Sequence, residues 1–248
     1  MNTVVDSVVL RSTGSDKGAS IGPVKVLALI PRRPDLTSQQ FHDHYRHPHG
    51  TTGRYMDTMR RYVQSHQIHT DLLGTGQARF DAIAELWFDN EKDTVGFREH
   101  PIIVKYIIED EPRFIDMEKL QFMITDEEVI RSRPAASDGL SDADTMWSPD
   151  DRPFSIKLLH FAAAGKTDWT SENDEVLGKK IGALRHVRCW PRQSVHGDTP
   201  PYAGVQELWW PTLTTFKTGI AKDPKAFSDL INPSAGSFTM LAQAERFT

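Results

Sequence analysis

With 248 residues, 38% of them hydrophobic and 25% charged, the chain has the composition of an ordinary soluble globular protein, with apolar material for one large core or two modest ones. A net charge of −5 and a pI near 6.1 argue against nucleic acid or an anionic membrane as the main partner. The lone cysteine, Cys189, excludes an internal disulfide and a cysteine-based metal cage, and no apolar run is long enough to span a bilayer, so a cytoplasmic location is expected.

Residues 1–23 read as an N-terminal arm: Arg11 to Gly22 is rich in Ser, Gly and charge, without the apolar run of a secretory signal. Val24 to Ile30 is nearly continuously apolar, which predicts a strand covered on both faces. Pro31 and Pro34 end it, and Asp35 or Thr37 can cap a helix starting at Ser38. That helix opens into Phe41-His-Asp-His-Tyr-Arg-His-Pro-His49-Gly50, which holds four of the ten histidines. Histidine exchanges protons or binds metals near neutral pH, so the cluster suggests a site; the plainer alternative is a solvated helix face. Pro48 disfavours helical geometry at His47 and predicts an end or kink there, with a second helical stretch through Met59. Strands follow over Arg61 to His69 and Ala82 to Phe88, then a helix over Ile102 to Ile108 and a strand over Lys119 to Ile124. The order β-α-β-β-α-β is ferredoxin-like.

Residues 126–153 are acidic, contain prolines and lack periodicity, which reads as a linker. Around it the chain repeats: Lys25 matches Lys157, Arg61-Tyr-Val63 matches Arg185-His-Val187, and Glu85-Leu-Trp-Phe88 matches Glu207-Leu-Trp-Trp210. This order implies a duplication into domains 24–125 and 154–248, the second diverged. In the second copy, strands are expected at Ile156 to Phe161, Leu184 to Trp190, Gly204 to Trp210 and Phe238 to Glu245, with helices at Glu172 to Ile181 and from Leu213. The fold class is therefore α+β, two ferredoxin-like repeats whose sheets bury their open faces against each other as an intramolecular barrel.

An opening strand followed by RRPDLT, FHDHYRHPHG, RRYVQSHQI and FDAIAELWF resembles the EthD family of the dimeric α+β barrel superfamily, over Val24 to Ile124. The second copy has SENDEVLGKK where the first has its histidines, so chemistry is expected in the first half alone. The superfamily includes cofactor-independent monooxygenases, muconolactone-type isomerases, haem enzymes and small dehydratases or decarboxylases. The resemblance thus implies a fold and leaves the chemistry to the site.

Residues two apart on a strand share a face, so Tyr62, Gln64 and His66 point together. Set on the helix side, they oppose Phe41, Tyr45 and His49 and outline an aromatic-lined pocket with a few polar groups. His49, just past the Pro48 break, is the leading acid/base. His66 and Tyr62 are its expected catalytic partners. His42 is expected to support His49 from behind, and Phe41, Tyr45, Gln64 and Trp87 to bind substrate, with Trp87 stacking on a flat ring. The histidine spacing fits no established zinc motif, and no metal or other cofactor is expected.

These residues favour a cofactor-independent enzyme moving a proton on a small, apolar, oxygenated molecule: a lyase (dehydratase or decarboxylase) or an isomerase. The alternatives are a cofactor-free monooxygenase on a phenol and a non-catalytic protein that shelters a hydrophobic ligand. Trp147 and Trp169, read as exposed aromatics, are compatible with a homodimer without establishing one.

Overall fold

A computed structural model describes residues 23–77 and 79–248, so the expected N-terminal arm, apart from Pro23, lies outside the described residues. The first half supplies strands β1 (Val24–Ile30), β2 (Met59–Gln67), β3 (Ala82–Phe88) and β4 (Gln121–Arg131). The second supplies β5 (Phe154–Ala163), β6 (Arg185–Pro191), β7 (Tyr202–Trp210) and β8 (Phe238–Arg246). Each half forms an antiparallel sheet in ferredoxin-like order, β4-β1-β3-β2 and β8-β5-β7-β6. The expected face-to-face sheets are also joined at both edges, β2 to β8 and β4 to β6, into one closed barrel. Among the described residues, closure leaves no barrel-strand edge unpaired.

The edge pairing changes one boundary. β4 continues to Arg131, its last residues paired with His186 to Pro191, so the segment expected to be a linker begins as strand. The remainder forms short helical turns and inserts Trp147, 4% exposed, into the barrel core. Trp169 is equally buried, at 5%. Neither indole is a surface aromatic, which removes the argument for pairing of chains that rested on them. No helix among the described residues is long and apolar enough to cross a membrane.

Alternation along β1 divides the molecule into layers. Val24, Val26, Ala28 and Ile30 face the helices, whereas Leu27 and Leu29 enter the barrel core. Lys25 also enters the barrel and meets the other residues that the internal repeat matched. Lys25 Nζ lies 2.8 Å from Glu85, 2.7 Å from Glu207 and 3.1 Å from Glu127; Lys157 Nζ lies 3.0 Å from Glu207 and bonds Glu85. The ammonium groups sit over Trp87 and Trp209 at 4.5 and 4.4 Å. Each lysine thus ties a carboxylate of its own half to one of the other, which fixes the register of the halves. Such a cluster contributes little net stability while intact, but losing one member leaves an uncompensated buried charge.

Candidate active site

Helix α1 (Ser38–His44) starts at a capping box: the Thr37 hydroxyl accepts from Gln40 N at 3.2 Å, and Gln40 Oε1 accepts from Thr37 N at 2.9 Å. Phe41 and Tyr45, four residues apart, therefore share its inner face, fully buried with rings 5.8 Å apart. The helical path breaks at His47 (φ −148°, ψ 125°), before a cis peptide to Pro48, and resumes immediately after it. The expected kink is there. His49 emerges on the buried side, 7% exposed, against the rings of Tyr45 (5.6 Å) and Phe114 (4.9 Å). Gly50 has a packing reason: a Cβ there would lie 2.5 Å from the Phe247 ring and 2.6 Å from Gln64 Nε2.

His49 lines a cavity between the helix face of the first sheet and the helical layer. Ala28, Ala84, Leu86 and Phe122 form its floor, and Met56, Ile103 and Ile107 are among the side chains opposite. Two small alanines on adjacent strands open this space. Its free volume is about 50 Å³, room for about three waters. A larger ligand enters by displacing side chains, and Met56 and Met59 are the adaptable ones. Among the described residues the polar lining groups are His49, Tyr62 and Glu111, and Glu111 is held by Arg98 at 2.8 and 2.7 Å.

The sequence-predicted residues divide into two groups on either side of Tyr45. On the cavity side are His49 and Tyr62. His49 Nδ1 is 3.1 Å from Asp110 Oδ2, and its Nε2 has no hydrogen-bond partner among the described residues. Burial pushes the Tyr62 phenol up to about 12, and its oxygen accepts from Gln64 Nε2 at 2.6 Å.

On the far side are His66 and His42, with the Tyr45 ring 5.2 Å from His66. Gln64 spends its amide N–H groups on Tyr62 and Tyr45 O, so its carbonyl accepts from His66 Nε2 at 3.1 Å. His66 Nδ1 then accepts from His42 Nδ1 at 2.9 Å. Burial lowers both imidazoles, His42 to about 4 and His66 to about 2, so this pair is neutral at physiological pH. The expected support of His49 by His42 and the expected opposition of His49 and His66 are both absent. Trp87 is displaced further: facing into the barrel, it donates to Glu127 at 2.9 Å under Lys25 and is no wall of the cavity.

Two contributors were missed in the sequence. Asp110 follows the helical turn Ile103–Ile107 and touches His49 and, at 2.9 and 3.0 Å, His44. The signal was the acidic run Glu109-Asp110-Glu111 ending the second helix, which ferredoxin-like topology lays on the same face as the first. The second half contributes Glu245, bound by Arg46 at 2.9 and 2.7 Å, and Phe247, whose N–H bonds Tyr62 O at 2.9 Å.

Among the described residues, one set of side chains has a metal-ligand arrangement: Glu127, Cys189 and Glu207 in the barrel. The Lys25 ammonium lies 3.1, 3.9 and 2.7 Å from them and already fills their centre, while burial pushes the Cys189 thiol well above its usual range. These residues fit a buried ammonium rather than a metal ion.

Residues 33–118 match the model of the EthD domain, a span that contains α1, His49, Tyr62 and Asp110. The first half of the chain thus carries an EthD domain. A comparison with curated proteins gives no match. Among solved structures, an EthD-family protein from Bacillus halodurans is 22% identical with a TM-score of 0.36, over 43% of this chain and 99% of that one. A protein named a putative monooxygenase from Lactobacillus acidophilus is 10% identical with a TM-score of 0.48, over 92% and 95%. A chlorite dismutase mutant from Candidatus Nitrospira defluvii is 11% identical with a TM-score of 0.41, over 91% and 92%.

Proposed function

We propose that the first half is a cofactor-independent acid/base catalyst in which His49 moves a proton on a small, uncharged, largely apolar molecule carrying an oxygen function. One observation carries this reading: a buried imidazole lines a largely apolar cavity with one ring nitrogen bound by Asp110 and the other without a partner among the described residues. A base removed from bulk water and set beside a bound C–H is the arrangement general base catalysis requires. Tyr62 complements it. Held as a phenol by burial, and with its oxygen already accepting from Gln64, it keeps its proton to donate to a substrate oxygen as charge develops there.

The lining also supports a choice among reactions. No lysine or arginine is among the described residues that line the cavity, so a carboxylate substrate would meet no free counter-charge there. Elimination of water or isomerisation beside a carbonyl is favoured over loss of carbon dioxide. His49 takes the proton at Nε2 and returns it to the leaving hydroxyl or to another carbon, so the step needs no group beyond the chain.

Ring opening of nitrobenzisoxazole, a flat uncharged probe that reports a desolvated base, tests the proposal. The purified protein should accelerate it on the order of 10²-fold or more over free imidazole, equally without oxygen, and His49→Ala should lose that rate while keeping its fold. Undiminished turnover by the folded alanine variant overturns the role of His49; a rate that disappears under nitrogen points to oxygenation instead.

A further inference from the structure

The carboxylate of Asp110 is shared by two imidazoles that α1 and the Pro48 kink bring to it. His49 Nδ1 approaches Oδ2 at 3.1 Å, and His44 Nε2 spans both oxygens at 2.9 and 3.0 Å. Side-chain exposure rises outward, from 9% at His49 through 10% at Asp110 to 26% at His44. Phe114 backs the arrangement, its ring 4.8 Å from His44 and 4.9 Å from His49. Burial pushes the Asp110 carboxyl up, but the bonds from His49 and His44 outweigh it and hold the group below its ordinary range.

An ionised carboxylate only accepts hydrogen bonds, so each imidazole must present an N–H to it. Neutral histidine has one N–H to place. With it on Nδ1, the nitrogen left for the cavity is a bare lone pair; with it on Nε2, His49 would offer the cavity a donor and no base. We infer that Asp110 and His44 are positioning residues: Asp110 holds His49 in the Nδ1–H form, and His44 pins both carboxylate oxygens so that Oδ2 stays aimed at His49. The inference rests on the reading of His49 as the base, and it assigns a use to the second helical histidine, His44, for which no role of its own was expected.

The histidine ring nitrogens of uniformly ¹⁵N-labelled protein decide it without any substrate, the His49 signals being assigned by their loss in His49→Gln. Wild-type His49 should show a protonated Nδ1 and a bare Nε2. Asp110→Asn, whose amide can donate to Nδ1, should move the proton to Nε2 and reduce nitrobenzisoxazole opening roughly 10²-fold. His44→Ala should mix the two forms and slow turnover roughly 10-fold, and His44→Gln, which keeps a donor, should restore the Nδ1–H form. A wild-type Nε2–H signal overturns the inference, as does a tautomer that Asp110→Asn leaves in place. Should Asp110→Asn fail to fold, the wild-type spectrum and the two His44 variants decide alone. The expected tautomer without any turnover supports the positioning and removes only the role of His49 as base.

Discussion

The two halves present the same sheet face to their helices and do opposite things with it. In the first, Ala28, Ala84 and Phe122 leave a cavity. The repeat register puts His160, Gln206 and Thr239 at those positions in the second. There His160 bonds Thr239 at 2.8 Å, and Gln206 bridges His186 at 2.6 Å and Asp174 at 2.7 Å. Trp169 lies so close to Gly204 that a Cβ there would fall 2.1 Å from its ring. Longer polar side chains and one indole fill what two alanines leave open. Inside the barrel the halves remain alike, Lys25 and Lys157 each holding a glutamate from both. The two halves thus share the interior arrangement and differ on their outer faces.

The strongest test of that contrast is that interior substitutions should hurt equally on either side. Glu85→Ala and Glu207→Ala each strand lysines without a full set of counter-charges, and each should cost about 3–5 kcal/mol in urea unfolding. A large difference between the two would show that the symmetry is geometric and not energetic.

Acid probes the outer faces next. Burial lowers His160 to about 4, below the ordinary 6.5, so the unfolded chain binds a proton there before the folded one does. Stability linked to His160 is complete above about pH 6.5 and is lost as pH falls towards 4, on the order of 2–3 kcal/mol by pH 4.5. His160→Asn should flatten that part of the profile, and an unchanged acid slope in the variant would remove His160 as its source. His42, lowered to about 4 by burial, adds a loss in the same pH window from the first half.

Transplanting one residue converts one face towards the other. Ala84→Gln gives the first half the residue of position 206, without the Asp174 that satisfies it there. We expect a loss of about 1–3 kcal/mol in thermal or urea unfolding, with the cavity filled and nitrobenzisoxazole opening abolished. Retained turnover would mean that the reacting molecule binds elsewhere.

Much of this was legible in the residues. Alternation on β2 set Tyr62, Gln64 and His66 on the helix side, Pro48 separated His49 from the helical histidines, and the repeat found four of the five charged groups that meet in the barrel. What strand periodicity cannot supply is the partner across a helix layer. Asp110 lies 61 positions from His49, and only the packing of the second helix against the first joins them. Trp87 was misplaced for a related reason: its row shares a strand with Ala84 but faces the barrel, and β3 pairs Tyr62 with Leu86, so the cavity row runs through the alanines. His42 and His66 were identified as a site because histidines are versatile, whereas burial and their hydrogen bond to each other leave them neutral, with His66 also held by Gln64.

The smallest expected effect concerns how each half starts its first helix. Thr37 closes a full capping box, whereas Asn173, at the start of the helix Asp174–Lys180, makes no side-chain cap bond. Thr37→Ala should cost about 1 kcal/mol, and Asn173→Ala should change unfolding within about 0.5 kcal/mol. The threonine matters beyond stability because α1 carries His44 and leads into Tyr45 and the His49 turn. A frayed first turn should loosen that segment, visible as faster amide exchange over residues 38–45 in Thr37→Ala, with no counterpart over residues 174–180 in Asn173→Ala. Equal exchange in the two variants would mean that the Asp110 and Phe114 contacts, and not the cap, hold the helix that delivers the histidines.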